Sequence, residues 1–218
     1  MGQPIIFTRS LAASNATSIA ASQSPGAGTI AIANTTSGVT LDVQRRISIV
    51  SGGNDSGINF TVNGTNQSGA PISDTIAGGN ATAVQTNQDF LTVTSIGHTG
   101  SVASTLTAGT NGVGSSQWQI LNWFDTTPVL NIAVEIRTGT ANYTIEYTLD
   151  DPNILPGTGG LNASGLPYAF PFPDPVLAGN STTGHTSYQI PILAFRMTTN
   201  SGTGTLVCRA IQSGLGSP

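Results

Sequence analysis

Few residues in this chain could do chemistry, and they do not lie in the patterns that catalysis requires. The two histidines, His98 and His185, sit in segments rich in Gly, Ser and Thr, with no acid or cysteine at metal-ligand spacing. We therefore expect both to be solvated loop residues. Serines are common, so a Ser/His/Asp triad is formally possible, but none lies in a Gly-x-Ser-x-Gly elbow.

The remaining candidates have simpler structural interpretations. Asp150 and Asp151, followed by Pro152, could serve as calcium ligands or as the carboxylate pair of a glycosidase. An Asp at the end of a strand more often accepts a hydrogen bond from the backbone two residues on, which favours a capped turn. Cys208 is the only cysteine, and we predict a small buried apolar residue. We predict no catalytic residue, no metal site and no cofactor, hence a protein that is not an enzyme.

Charge is scarce along the whole chain. Six arginines and ten acids make 16 charged residues in 218, and lysine is absent. Only Arg45 and Arg46 adjoin, whereas nucleic-acid binding needs clustered cations. No apolar stretch has the length of a signal peptide or a membrane span, so neither a membrane nor nucleic acid is an expected partner. A surface of hydroxyls and amides suits lasting contact with other protein surfaces.

The elements that must position these residues are predicted to be short strands. Runs such as 58–62 and 143–147 alternate apolar and polar residues with period two, which is typical of strands with one buried face. We predict an all-β fold of two β-sandwich domains, immunoglobulin-like or jelly-roll, with an extended N-terminal arm. In the first domain the predicted strands lie near 29–33, 40–43, 46–51, 57–63, 71–77, 89–96 and 101–107.

The predicted boundaries follow the composition. Residues 1–27 form the arm, 28–111 the first domain and 112–218 the second, with 111–116 as linker and a long loop rich in Pro and Gly over 150–187. In the second domain, 129–137 and 142–149 are predicted to form a hairpin that turns at 138–140, with an Arg137–Glu146 pair across it. Two final strands, 189–199 and 203–212, turn at 200–202.

Two apolar segments are the candidate contacts between subunits. One is Ile5, Ile6 and Phe7 in the predicted arm. The other is the Pro-aromatic run 167–173, which contains Tyr168, Phe170 and Phe172. Prolines stiffen an exposed apolar segment, which suits docking on a neighbouring subunit. An aromatic platform for a sugar or a peptide is the alternative interpretation.

Three segments together resemble a family of tailed-bacteriophage virion proteins of similar length. They are ATSIAASQSP (16–25), DSGINFTVNGTN (55–66) leading to FLTVTSI (90–96), and YTIEYTLDDP (143–152). The resemblance implies a structural virion component, made in the host bacterial cytoplasm and located in the virion, and it supplies no functional residues. Its partners would be other virion proteins and copies of itself, as a homo-oligomer within a symmetric particle.

Three function classes follow. The favoured one is a non-enzymatic subunit that joins or covers other virion proteins, as a tail-vertex adaptor or fibre connector, or as capsid decoration or cement. The first rival is a carbohydrate-binding adhesin or receptor-binding module, which needs exposed aromatics flanked by Asn or Asp. The second is a glycoside hydrolase or depolymerase, which needs two carboxylates in a groove.

Overall fold

The computed structural model describes residues 3–122, 129–153, 167–189 and 191–212, and in these ranges the chain is built of strands without a helix. The strands are β1 (Gln3–Leu11), β2 (Ala20–Gln23), β3 (Gly28–Thr29), β4 (Val39–Ser51), β5 (Asn59–Thr65), β6 (Pro71–Ala77), β7 (Ala83–His98), β8 (Leu106–Ser115), β9 (Gln119–Ile120), β10 (Leu130–Gly139), β11 (Asn142–Thr148), β12 (Phe170–Pro171), β13 (Gly184–Tyr188), β14 (Ala194–Ser201) and β15 (Gly204–Gln212). The all-β prediction is confirmed. Within the described ranges, no helix is long and apolar enough to cross a membrane.

The chain divides into two compact units. The inserted unit is Ala12–Ser115, and the discontinuous unit combines Met1–Leu11 with Ser116–Pro218. Residues 3–27 are predicted to belong to an extended arm, but their strands are paired within the two units. β1 pairs with β15 along nine residues in the discontinuous unit, while β2 and β3 pair with β8 and β7 in the inserted unit. Pairing in the sheet gives the apolar side chains of β1 a core to pack against, which a free arm would lack.

In the inserted unit the sheet runs in the order β8-β4-β7-β5-β6. β7 is sixteen residues long; its first part pairs with β4 and its last part with β5, and register shifts interrupt the β4 pairing. Asp74 of β6 also binds β7, since its Oδ2 accepts the backbone N–H groups of Asn87 (2.6 Å) and Gln88 (3.1 Å). The unit buries mainly branched and aromatic side chains, among them Ile19, Ile47, Ile49, Phe60, Val62, Phe90, Val93, Ile96 and Leu106.

The predicted linker at 111–116 is a strand over most of its length. Residues 111–115 are the end of β8, where Ser115 lies opposite Gln44 and Gly114 opposite Arg45 of β4. A strand ladder is formed by backbone groups, so small side chains do not prevent it. The boundary between the units falls immediately afterwards, between Ser115 and Ser116.

Two sheets enclose the core of the discontinuous unit. One has the order β1-β15-β10-β13, and the other has the order β12-β11-β14 with β9 beside β14. Their inward side chains share one buried cluster, which includes Leu130, Ile132, Val134, Tyr143, Ile145, Phe172, Leu177, Phe195, Met197, Leu206 and Cys208. This arrangement is a sandwich of antiparallel sheets.

The predicted hairpin of β10 and β11 is wrong. β10 pairs with β13 and β15, whereas β11 pairs with β12 and β14, so the connection at 139–142 crosses from one sheet to the other. The connection from β14 to β15 crosses back beside it, and Thr140 N donates to Thr203 O (3.0 Å). The predicted Arg137–Glu146 pair is also wrong. Arg137 Nε lies 3.5 Å from Glu135 Oε2, and Arg196 Nε lies 2.7 Å from Glu146 Oε2.

Candidate contact surface

Five aromatic rings form a continuous series in the discontinuous unit, which we call the aromatic ladder: Tyr168, Phe170, Tyr147, Phe172 and Tyr188. Successive ring centroids lie 6.2, 5.5, 5.2 and 4.3 Å apart. The first two pairs, Tyr168–Phe170 and Phe170–Tyr147, are stacked with interplanar angles of 24° and 30°, whereas Tyr147 and Phe172 meet edge to face. Contacts of both kinds add to the stabilisation from buried area.

The sequence 168–172 explains why the ladder forms. In an extended chain, residues two apart point to the same side, so Tyr168, Phe170 and Phe172 share one face. β12 places this face beside β11, with Phe170 opposite Tyr147. The intervening Pro171 lies at the edge of the sheet, where its missing N–H breaks no ladder.

Two hydrogen bonds hold the segment against the sheet. The backbone N–H of Phe172 donates to Ile145 O (3.0 Å), and that of Tyr168 donates to Asp150 Oδ2 (2.8 Å). Asp151 Oδ1 accepts from the N–H of Asn153 (2.9 Å), so the predicted turn capping by an acid is confirmed at this residue. The backbone N–H groups of Tyr168 and Phe172 thus hold both ends of the segment that bears the exposed rings.

Exposure changes sharply along the ladder. Phe172 is 1% exposed, whereas Phe170 is 42% and Tyr168 is 52% exposed. Phe172, predicted as a contact between subunits, is therefore a core residue, because it lies between Tyr147 and Tyr188. The exposed rings at the other end form an apolar surface on a rigid base.

The first predicted segment divides in the same way. Ile5 and Phe7 are half-buried and pack against the core of the discontinuous unit, where Phe7 lies 6.3 Å from Phe195. Ile6 points to the opposite face and is 64% exposed. Sequence reasoning missed Ile211, which is 49% exposed. The alternation of β15 around buried Cys208 was the available signal for it.

The residues that could do chemistry lie on different strands and are divided between the two units. His98, expected to be solvated, is buried at the end of β7, and its Nδ1 lies 2.7 Å from Gly100 O. His185 is exposed on β13. Cys208 is buried, as predicted. Burial raises the pKa of its thiol to about 12, although the nearby charge of Arg209 opposes this shift. No group of three His, Cys, Asp or Glu side chains that could hold a metal lies within the part of the chain that the structure describes.

An open groove of about 560 Å³ lies on the inserted unit. Its lining is uncharged and includes Ser48, Thr75, Gln85, Asn87 and Asn111, and the Asn111 amide donates to the Gln85 amide oxygen. Such a lining could bind a small neutral polar molecule. The groove is lined by no aromatic side chain, so a sugar would find no ring to stack on.

The chain matches no family model, no curated protein and no solved structure.

Proposed function

We propose that the protein is a non-enzymatic structural subunit of a tailed-phage virion that joins or covers other virion proteins. Within the particle it would act as an adaptor or connector at the tail vertex, or as decoration on the capsid. The partners are other virion proteins and copies of the same chain.

The observation that carries this proposal is the exposed end of the aromatic ladder. Tyr168 and Phe170 keep 52% and 42% of their surface in solvent, although the segment that bears them is anchored at both ends. Preorganised rings lose little conformational entropy on binding, and aromatic anchors dominate many protein interfaces. A rigid apolar surface of this kind is suited to docking on another protein.

The scarcity of charge supports the same proposal. With 16 charged residues in 218, contacts made by this chain would contain few ion pairs for salt to screen. We therefore expect particles to retain the subunit when the ionic strength is raised moderately. Release under those conditions would count against apolar docking.

The test is made on purified particles of the phage that encodes the chain. Mass spectrometry should detect the protein in washed particles, and an averaged density map should show where it sits and in how many copies. Tyr168→Ala with Phe170→Ala should reduce incorporation, whereas Val176→Ala, at a residue 36% exposed outside the ladder, should not. Absence of the protein from washed particles would end the proposal.

A second candidate, carbohydrate binding, is favoured by one specific contact. Asp150 lies beside the exposed rings and uses Oδ2 to hold the Tyr168 N–H. Its second carboxylate oxygen could accept from a sugar hydroxyl while a pyranose ring stacks on Tyr168. Binding of the isolated protein to a glycan array, lost in Tyr168→Ala and Asp150→Asn, would place this function first.

A further inference from the structure

β1 is an edge strand, and among the described residues no strand lies beside its outer side. It lies at the end of the order β1-β15-β10-β13 and pairs with β15 from Gln3 to Leu11 without a register shift. A long, regular and unbulged edge is a template for another strand. The backbone groups on this outer side are therefore candidates for binding.

The alternation of the sheet shows which residues point outward. Ile136 of β10 donates its backbone N–H to Oγ1 of Thr183, the residue just before β13 (3.2 Å). The backbone N–H and C=O groups of the even-numbered residues of β10 therefore point toward β13. The same alternation applies at the paired positions of β15 and β1. It directs the backbone N–H and C=O groups of Ile6, Thr8 and Ser10 away from β15. Among the described residues, no hydrogen bond engages the backbone N–H groups of these three.

One carbonyl on this edge is already occupied. Thr8 O accepts a hydrogen bond from the Arg9 guanidinium (Nη1, 3.1 Å). Pro4, four residues earlier on the same edge, has no N–H to donate. A strand that pairs here receives no hydrogen bond from Pro4, and it can donate to the Thr8 carbonyl only alongside or in place of Arg9.

We propose that this edge binds β1 of a second copy of the chain, antiparallel, about a two-fold axis at Ile6. In this register Thr8 lies opposite Pro4 of the second copy. The Thr8 N–H donates to the Pro4 carbonyl of the second copy. Because Pro4 has no N–H to donate in return, the Thr8 carbonyl keeps its hydrogen bond to Arg9. The two Ile6 residues exchange both of their backbone hydrogen bonds. The edge is thus complementary to itself.

The side chains favour the same register. Ile6 meets Ile6 of the second copy on the outer face, where it is now 64% exposed. On the inner face Ile5 meets Phe7 of the second copy, and both are half-buried at the open border of the core. A shift by two residues would separate the two Ile6 residues and place each opposite Thr8 in one direction or opposite Pro4 in the other.

The pairing goes beyond the proposed function, because it follows from the geometry of β1 whether or not the chain belongs to a virion. It is measured on the purified protein, whereas the proposed function is measured on particles. The two can therefore fail separately. The contact is small, so a weak dimer that dissociates on dilution is expected.

The test is sedimentation velocity of the full chain over a dilution series, with two proline variants. Ile6→Pro removes an outward N–H at the centre of the pairing and should give a monomer. Ser10→Pro removes an outward N–H beyond the central pairs and should leave the dimer intact. Circular dichroism checks that both variants fold. A wild-type protein that stays monomeric at every concentration, or equal dimerisation by the two variants, would overturn the proposal.

A second pair of variants distinguishes edge pairing from docking of the outer sheet face. Ile6→Lys places two like charges opposite each other at the axis, whereas Ile211→Lys adds the same charge on the neighbouring strand. Only the first should abolish the dimer. Equal loss in both would assign the contact to the face and refute edge pairing. As a positive readout, Ile6→Cys should give disulfide-linked dimers on mild oxidation, and Ile211→Cys should not.

Discussion

Arg45 and Asp42 form a two-pronged ion pair in the inserted unit. Arg45 Nε lies 2.6 Å from Asp42 Oδ1, and Nη2 lies 2.6 Å from Oδ2. The arginine side chain is 1% exposed, and its other bonds go to the backbone carbonyls of Ala12 (2.8 Å) and Asn111 (3.2 Å). The Ala12 N–H in turn donates to Asp42 (2.9 Å). The pair therefore fixes the first residue of the inserted unit to β4 and β8.

Asp42→Asn should destabilise the inserted unit by about 3–5 kcal/mol, because it leaves the buried Arg45 charge without compensation. Arg45→Met should cost less, since Asp42, with a side chain 34% exposed, can be hydrated. Arg137→Met is the control: that arginine is half exposed, and its loss should cost at most about 1 kcal/mol. Hydrogen exchange of β4 in urea measures the difference. Equal losses for all three variants would contradict this account.

The Asp42–Arg45 pair also contributes to how the free energy of unfolding falls at acid pH. Burial opposes ionisation of Asp42, but the Arg45 hydrogen bond, the Ala12 N–H and the Arg45 charge together lower its pKa below the ordinary value. A lowered pKa contributes stability that is complete above about pH 4 and is lost as the pH falls toward the folded-state pKa. The free energy of unfolding should fall below pH 4 in the wild type, and less in Asp42→Asn. Parallel acid limbs would show that other carboxylates dominate.

Alternation in the sequence predicts which residues are buried more reliably than which strands pair. The runs 58–62 and 143–147 are predicted to bury one face, and Phe60, Val62, Tyr143 and Ile145 are indeed buried. A hairpin and a crossing between facing sheets bury the same alternate residues against one core. The pattern of Ile132, Val134, Tyr143 and Ile145 therefore fits both, and only the pairing with β14 and β15 distinguishes them.

The candidate contacts could be predicted only in part, for a related reason. The run 167–173 is visibly apolar, but whether Phe172 or Phe170 faces solvent depends on its distance from the core. Likewise, the Gly/Ser composition around 112–115 favours a linker, yet backbone pairing to Gln44 and Arg45 makes it a strand. Composition describes side chains, whereas these outcomes depend on tertiary backbone contacts.

Cys208 should be inert in the folded protein and should control part of the alkaline limb. Its pKa of about 12, against about 8.5 unfolded, means that the folded thiol holds its proton while the unfolded one releases it. Stability is therefore complete below about pH 8.5 and falls above it, by at most about 1.4 kcal/mol per pH unit. Cys208→Ala should flatten this slope below pH 10, measured by urea unfolding. Rapid alkylation of the native thiol would contradict the prediction.

The aromatic ladder predicts that two neighbouring phenylalanines have opposite roles. Phe172→Ala should destabilise the discontinuous unit by about 3–5 kcal/mol, because it empties a buried site between Tyr147 and Tyr188. Phe170→Ala should cost about 1 kcal/mol or less, since 42% of the residue is exposed, but it should weaken docking. Thermal unfolding by tryptophan fluorescence measures the first effect. A large loss for Phe170→Ala would make it a core residue.

The two crossings between sheets require glycine where they touch. Gly202 has φ +83°, and a Cβ there would collide with the carbonyl oxygen of Thr140 in the adjacent crossing. Gly202→Ala should therefore combine the cost of a left-handed backbone, about 1–2 kcal/mol, with about 1–3 kcal/mol of overpacking.

Gly179 provides the matched control for this substitution. It lies in the same unit with φ +66°, and a Cβ there would meet no atom within 4 Å. Gly179→Ala should show the backbone cost alone, so the difference between the two variants in urea unfolding measures the contact between the crossings. If the two substitutions cost the same, the crossings are not packed closely enough to exclude a methyl group, and the predicted contact is absent.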